Sequence, residues 1–180
     1  MCKAFKAAHE ANPKAQLFYN DYGAESTAGW QSTKSDKVYN FLKDLIDRGC
    51  PVHGVGLQSH ITLKYDEEML EGVRENIRRL GELGLIVHIT ELDVKCSSEK
   101  SCTDSDWTEK MKEQQATIYE SLLKICLEEE NCKSFETWGF TDKYSWLAKG
   151  QDGLPMDSDY NRKPAYNKMY EVLTKTEKKS

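Results

Sequence analysis

Gly84-Leu85-Ile86-Val87-His88-Ile89-Thr90-Glu91-Leu92-Asp93-Val94 sits between two stretches of helical periodicity. Its apolar run, opened by a glycine and rich in β-branched residues, is too short for a core helix and reads as a buried strand over 85–90. The strand ends on a polar tip. Upstream, residues 66–83 have helical spacing and stop at Gly84. Residues 52–59 read as a strand, and 33–48 as a helix with Val38, Phe41, Leu42, Leu45 and Ile46 on one face and Gly49 as its stop. A strand over 15–20 follows the turn pair Asn12-Pro13, and residues 1–11 read as the tail of a helix. Downstream come a helix over about 106–127, a strand over 135–140 and a final helix opened by Pro164. A helix followed by four strand–helix units predicts a parallel sheet with helical crossovers.

Two α/β architectures fit that order: an open doubly wound sheet and half of a (β/α)8 barrel. The first calls for a glycine-rich phosphate loop after a strand; Gly54-Val55-Gly56 lies inside one and lacks the third glycine. The second calls for polar and aromatic residues at the C-terminal ends of the strands. Those ends read Asn20-Asp21-Tyr22, Gln58-Ser59-His60, Thr90-Glu91-Leu92-Asp93 and Trp138-Gly139-Phe140-Thr141-Asp142. Burying so many polar groups in a core would need a partner for each, so an open cleft is the natural reading. Alternation along the strands puts Leu85, Val87 and Ile89 on the side of Glu91, aligns Gly54, Gly56 and Gln58 with His60, and turns His88 towards the helices. Glu136 shares its parity with Trp138 and has no partner identifiable from sequence.

At 180 residues the chain fits one domain, and 38% hydrophobic with 31% charged residues of mixed sign describes a soluble globular protein. A net charge of −5 offers no basic face for nucleic acid and no polybasic membrane patch. No apolar run reaches the roughly 20 residues of a membrane span, and Met1 to Lys6 lacks the apolar region of a signal peptide. Six cysteines are compatible with three bridges whose pairing the sequence leaves open, free thiols being the alternative. The spacings of Cys96 to Cys102 and of Cys126 to Cys132 favour two local loop-closing disulfides and an oxidising compartment, while Cys2 and Cys50 stay unassigned. No Cys-x-x-Cys occurs and no histidine falls at a zinc-finger interval, so neither a metal nor a cofactor is expected.

The stretch 84–94 resembles, position for position, the nucleophile motif of family 10 glycoside hydrolases. The resemblance extends to Asn20-Asp21-Tyr22, to Gly54 through His60, to Trp138 through Trp146 and to Lys163-Pro164-Ala165-Tyr166, in family order and over nearly the whole chain. It implies the C-terminal half, strands 5 to 8, of a TIM barrel, with residues 1–180 as part of a catalytic domain. It also implies a secreted endo-1,4-β-xylanase that acts on xylan or xylo-oligosaccharides by retaining hydrolysis. Glu91 then corresponds to the nucleophile, His60 to the histidine that donates to it, and Asp93 to the carboxylate that orients that histidine. Gln58 corresponds to the residue that positions the acid/base carboxylate. Trp138 and Trp146 are similar to the tryptophans framing the cleaved sugar, Tyr22 to the tyrosine on the leaving-group side, and Asn20 to a bracing residue. Cys126 and Cys132 look like the disulfide pair of many eukaryotic members.

A retaining glycosidase needs a second carboxyl group about 5–5.5 Å from the nucleophile. In the family it follows an asparagine on the fourth strand, and no Asn-Glu pair occurs in this sequence. The isolated chain is therefore expected to be inactive without an N-terminal half. A second copy could close the barrel but would not supply the acid. The alternatives are a non-catalytic carbohydrate-binding chain that uses Trp138 and Trp146, and a truncated product with a purely structural role. Gly23 stands where the family commonly has asparagine. His9, His53, Trp30 and Trp107 read as packing, capping or surface residues.

Overall fold

The computed structural model describes residues 1–96, 102 and 107–177. In chain order the elements are α1 (Cys2–Ala11), β1 (Phe18–Asp21), α2 (Ser32–Asp47), β2 (Gly54–Leu57), β3 (His60–Thr62), α3 (Glu67–Glu82), β4 (Ile86–Lys95), α4 (Glu109–Glu128), β5 (Cys132–Thr137) and α5 (Pro164–Glu177). Short 3₁₀ turns cover Gly29–Gln31 and Asp142–Tyr144. The expected start of the fourth helix, residue 106, lies outside the described residues; the helix begins at Glu109, with Thr108 Oγ1 accepting from the Met111 amide at 3.3 Å. Asp66 caps α3 in the same way, accepting from the Met69 amide at 2.9 Å. Gly49 and Gly84 end α2 and α3 in the left-handed conformation, at φ 66° and 78°.

All strand pairs are parallel. β4 is the spine: its first half pairs β2 (Gly54 opposite Ile86), its end pairs β3 (His60 opposite Asp93), and β5 lies on its other side. The strand expected over 52–59 is observed over Gly54–Leu57, and β3 is a further strand beyond its expected end. Ser59, in the left-handed region at φ 63°, lies between the two.

The helices cover one face of the sheet. Val55, Leu57, Val87 and Ile89, all at most 2% exposed, pack there against Leu42, Ile77, Leu80, Ile118 and Leu122. The opposite face carries Phe18, Asn20, Gly54, Gly56, Ile86, His88 and Thr90, with the Phe18 and His88 rings 4.3 Å apart. A Cβ on Gly54 would overlap the Phe18 ring and lie 2.7 Å from the Ile86 carbonyl oxygen; one on Gly56 would overlap Asn20 Oδ1. The parity expected from sequence is therefore inverted for Leu85, Val87, Ile89 and His88. Leu85 is buried with Val87 and Ile89 in the core, and His88 faces away from the helices. The cause is a β-bulge: Ile89 is opposite Phe135 and Leu92 opposite Thr137, so β4 carries one extra residue around Thr90 and Glu91. Counting back from Glu91 by twos fails across such a bulge.

Disulfides join Cys2 to Cys50, Cys96 to Cys102 and Cys126 to Cys132, with sequence separations of 48, 6 and 6. The first ties α1 to the end of α2 through a small cluster of Phe5, Leu45 and Cys50. Loop-closure entropy scales with the logarithm of loop length, giving roughly 4 kcal/mol for the long loop and roughly 2 kcal/mol for a short one. Replacing Cys2 and Cys50 by alanine is accordingly expected to lower the urea midpoint more than replacing Cys126 and Cys132, both measured on the oxidised chain.

Candidate active site

The polar tips of the strands meet at one end of the sheet. Glu91, aimed by the bulge, accepts from Asn20 Nδ2 at Oε1 (3.0 Å), and its Oε2 lies 3.1 Å from His60 Nε2. Asn20 is held in turn by Thr90, whose hydroxyl donates to Asn20 Oδ1 at 3.0 Å. The other ring nitrogen of His60, Nδ1, lies 2.8 Å from Asp93 Oδ2. The same Asp93 oxygen accepts from the Trp146 indole Nε1 at 2.8 Å. Glu91, His60, Asp93 and Trp146 form one hydrogen-bonded chain from cleft floor to rim.

Burial works against the protonated form of His60, but hydrogen bonds and charge from Asp93, then from Glu91, outweigh it and raise its pKa above the ordinary imidazole value. In its cationic form the ring can donate to both carboxylates at once. Asp93 has no solvent-exposed surface, whereas the Glu91 side chain keeps 14% of its own, so only Glu91 is reachable from the cleft.

The cleft, about 510 Å³, is lined by Tyr22, Gln58, His60, Glu91, Lys95, Trp138 and Trp146. Its three large aromatics are 62%, 49% and 57% exposed in that order, far more than core packing would leave them. Trp146 lies edge-on to His60 at 4.9 Å between ring centroids, and Trp138 at 6.4 Å. Tyr22 is braced by Lys34, whose ammonium stands 3.9 Å above the ring and is paired with Asp21 at 2.9 Å. Among the described residues lining this cleft, Glu91 is the only carboxylate.

Trp138 and Trp146 ride on the segment after β5, which is pinned by a partly buried pair. Asp142 accepts from the Leu154 amide at 2.8 Å and from Lys163 Nζ at 3.0 Å. Burial raises the Asp142 pKa despite the lysine, and lowers that of Lys163. Tyr119 OH and the Val94 amide both bond the Gly153 carbonyl, at 2.7 and 3.0 Å, which ties this segment to β4.

All eight residues singled out from sequence for the site, Asn20, Tyr22, Gln58, His60, Glu91, Asp93, Trp138 and Trp146, thus lie together. Trp30 is 61% exposed in a 3₁₀ turn, and Trp107 is buried with its indole donating to the Gly150 carbonyl at 2.8 Å. His53 accepts from the Leu17 amide at 2.9 Å, and Glu136 from the Ser134 hydroxyl at 2.6 Å. Thr90 and Lys95 were missed. Thr90 sits one residue from Glu91, where simple alternation assigns it to the wrong face.

A family model described as glycosyl hydrolase family 10 matches residues 1–172. Endo-1,4-beta-xylanase B of Thermotoga neapolitana is 37% identical over 175 residues, covering 95% of this chain and 47% of the relative. Endo-1,4-beta-xylanase B of Neocallimastix patriciarum is 36% identical over 170 residues, 94% of this chain but 18% of the relative. Among solved structures, xylanase 10B from Thermotoga maritima superposes with a TM-score of 0.85 at 38% identity, over 99% of this chain and 53% of that one. Xylanase 10B from Thermotoga petrophila RKU-1, in complex with xylobiose, gives 0.84 at 38%, over 97% and 51%. The chain spans about half the length, or less, of these relatives, and its fold is half of their (β/α)8 barrel.

Asp93→Asn is expected to lower the His60 titration midpoint, followed by imidazole NMR. Because the folded-state pKa is raised, the stability contributed by His60 is full below the unfolded value, about 6.5, and is lost as pH rises through the folded value. Urea unfolding across that window should show a drop in the parent and a flatter profile in the variant.

Proposed function

The chain belongs to glycosyl hydrolase family 10, and on that premise we propose that residues 1–180 are the C-terminal half of the catalytic domain of a retaining endo-1,4-β-xylanase. The observation that carries this reading is the Glu91 carboxylate, held between Asn20 Nδ2 and His60 Nε2 at the floor of a cleft rimmed by exposed indoles. In this reading Glu91 attacks the anomeric carbon of a β-1,4-linked xylose as the bond to the leaving sugar oxygen breaks, giving a glycosyl-enzyme ester that water then opens. Asn20 and His60 keep the carboxylate aimed. Trp138 and Trp146 offer flat faces to the CH groups of the pyranose, and Tyr22 and Gln58 line the same cleft. The leaving oxygen takes its proton from a second carboxyl group about 5–5.5 Å from the first. With Glu91 the sole carboxylate among the described cleft residues, we assign that acid to the N-terminal half of the barrel. A second copy of this chain, the other candidate for closing the sheet, brings no such group.

Xylan and xylo-oligosaccharides are the proposed substrates, supported by the xylobiose complex of the Thermotoga petrophila relative. An extracellular location is proposed from the three disulfides, which persist in oxidising compartments. The exposed indoles beside a lone carboxylate also favour a second reading, carbohydrate binding without turnover.

Combining the chain with the N-terminal half of a family 10 xylanase is expected to yield xylotetraose hydrolysis with retained anomeric configuration. Glu91→Ala in the assembled protein should lower kcat by about 10⁴-fold or more. Turnover by the isolated chain at a normal rate would refute the division of labour. Xylan binding that Trp138→Ala abolishes and Glu91→Gln spares, with no hydrolysis on assembly, would support the second reading.

A further inference from the structure

The loop after β1 buries a carboxylate that none of the chemistry above uses. Glu25 is 1% exposed. Its Oε1 accepts from the amides of Gly23 and Ser59, both at 3.0 Å, and its Oε2 accepts from Gln31 Nε2. Gln31 cannot turn its amide over without loss, because its Oε1 already accepts from the Ser26 amide at 3.0 Å and from the Tyr65 hydroxyl. Asn76 on α3 donates to the carbonyls of Ala24 and Glu25 at 2.9 Å each, which fixes the loop against the helix layer. Burial pushes the Glu25 pKa up against the hydrogen bonds from Ser59, Gly23 and Gln31, and the donors that converge on its two oxygens form a pattern that an isosteric amide cannot accept at both positions.

Ser59 is the residue that divides β2 from β3, and its φ of 63° is one that residues with a Cβ seldom adopt. Both ends of this residue are held. Its N–H is bound by Glu25, and its carbonyl accepts from the Asp93 amide at 3.3 Å. The next residue is His60, which lies opposite Asp93 in the β3–β4 register. Glu25 is therefore one residue away, along the backbone, from the ring that lies between Glu91 and Asp93.

We propose that Glu25 is a positioning residue for His60: by holding the left-handed Ser59 peptide, it sets the direction in which the imidazole enters the cleft. The role concerns the same site and rests on the reading of His60 and Glu91 as a working pair. Its test reads the ring directly and stands apart from any activity on xylan. The groups facing that ring are Asp93 and Glu91, with the edges of Trp138 and Trp146. Loosening Ser59 should weaken the two carboxylate contacts together.

The experiment is imidazole NMR on the full chain. In Glu25→Gln the His60 titration midpoint is expected to fall towards that of an ordinary imidazole, and the Trp146 indole proton, bonded to the same Asp93 oxygen, should shift with it. Adding Ser59→Gly removes the conformational penalty that Glu25 offsets, so the double variant should regain the parental midpoint. Should Glu25→Gln not fold, Gln31→Leu, which strips the support from Oε2 but keeps the glutamate, carries the same expectation of a lowered midpoint restored by Ser59→Gly. A folded variant with reduced thermal stability but the parental His60 midpoint would overturn the proposal. So would a lowered midpoint that Ser59→Gly fails to restore, since a purely loop-anchoring role predicts that result.

Discussion

Asp93 Oδ2 accepts from His60 Nδ1 and from Trp146 Nε1, each at 2.8 Å, on a side chain with no contact with solvent. Burying a carboxylate is costly unless donors meet it; Oδ2 has two, while Oδ1 is buried with no hydrogen-bond partner among the described residues. Here the donors are the two groups whose placement defines the cleft. One is the ring that meets Glu91 and the other a broad aromatic face at the rim. Moving Asp93 would displace both at once, so the charge distribution at the cleft floor and the shape of its wall are parts of a single arrangement. Tyr119, fully buried beneath, feels the same charge: burial raises its phenol pKa well above normal, and Asp93 adds to the effect.

Two backbone irregularities deliver the side chains to Asp93. The bulge in β4 turns Glu91 towards the cleft while leaving Val87 and Ile89 against the helices. The left-handed Ser59 ends β2 and lets β3 start in register with the end of β4. Regular strands would satisfy the core equally well and would scatter these groups. The order spent on the site thus appears in places where local geometry departs from the repeat, and each departure is held by specific hydrogen bonds.

The sheet is covered by helices on one face only. The other face exposes Asn20 and half-buries Phe18, Ile86, His88 and Thr90. Burial lowers the His88 pKa, opposed by the charge of Glu136. Parallel sheets are stable with both faces covered, and among the described residues β1 and β5 each pair on one side only. A half barrel of this kind has an intact outer layer and an unfinished interior. The cleft divides in the same way, with Glu91 held by Asn20 and His60 and no second carboxylate among the described residues that line it.

Apart from β3, the element order, the parallel sheet and the set of residues gathered at the strand ends were determined by the sequence itself, because each rests on local information. Gly49 and Gly84 stop helices, Pro164 opens one, and polar tips follow apolar runs. Which face each side chain takes was decided only in three dimensions. Alternation inverted His88, Val87 and Ile89, since one extra residue in β4 resets the count and no local pattern marks it. Glu25 and Gln31 gave no signal either. A glutamate between Ala24 and Ser26 looks like loop surface until α3 and the β2–β3 break close over it, and its burial is a property of packing between segments distant in the chain.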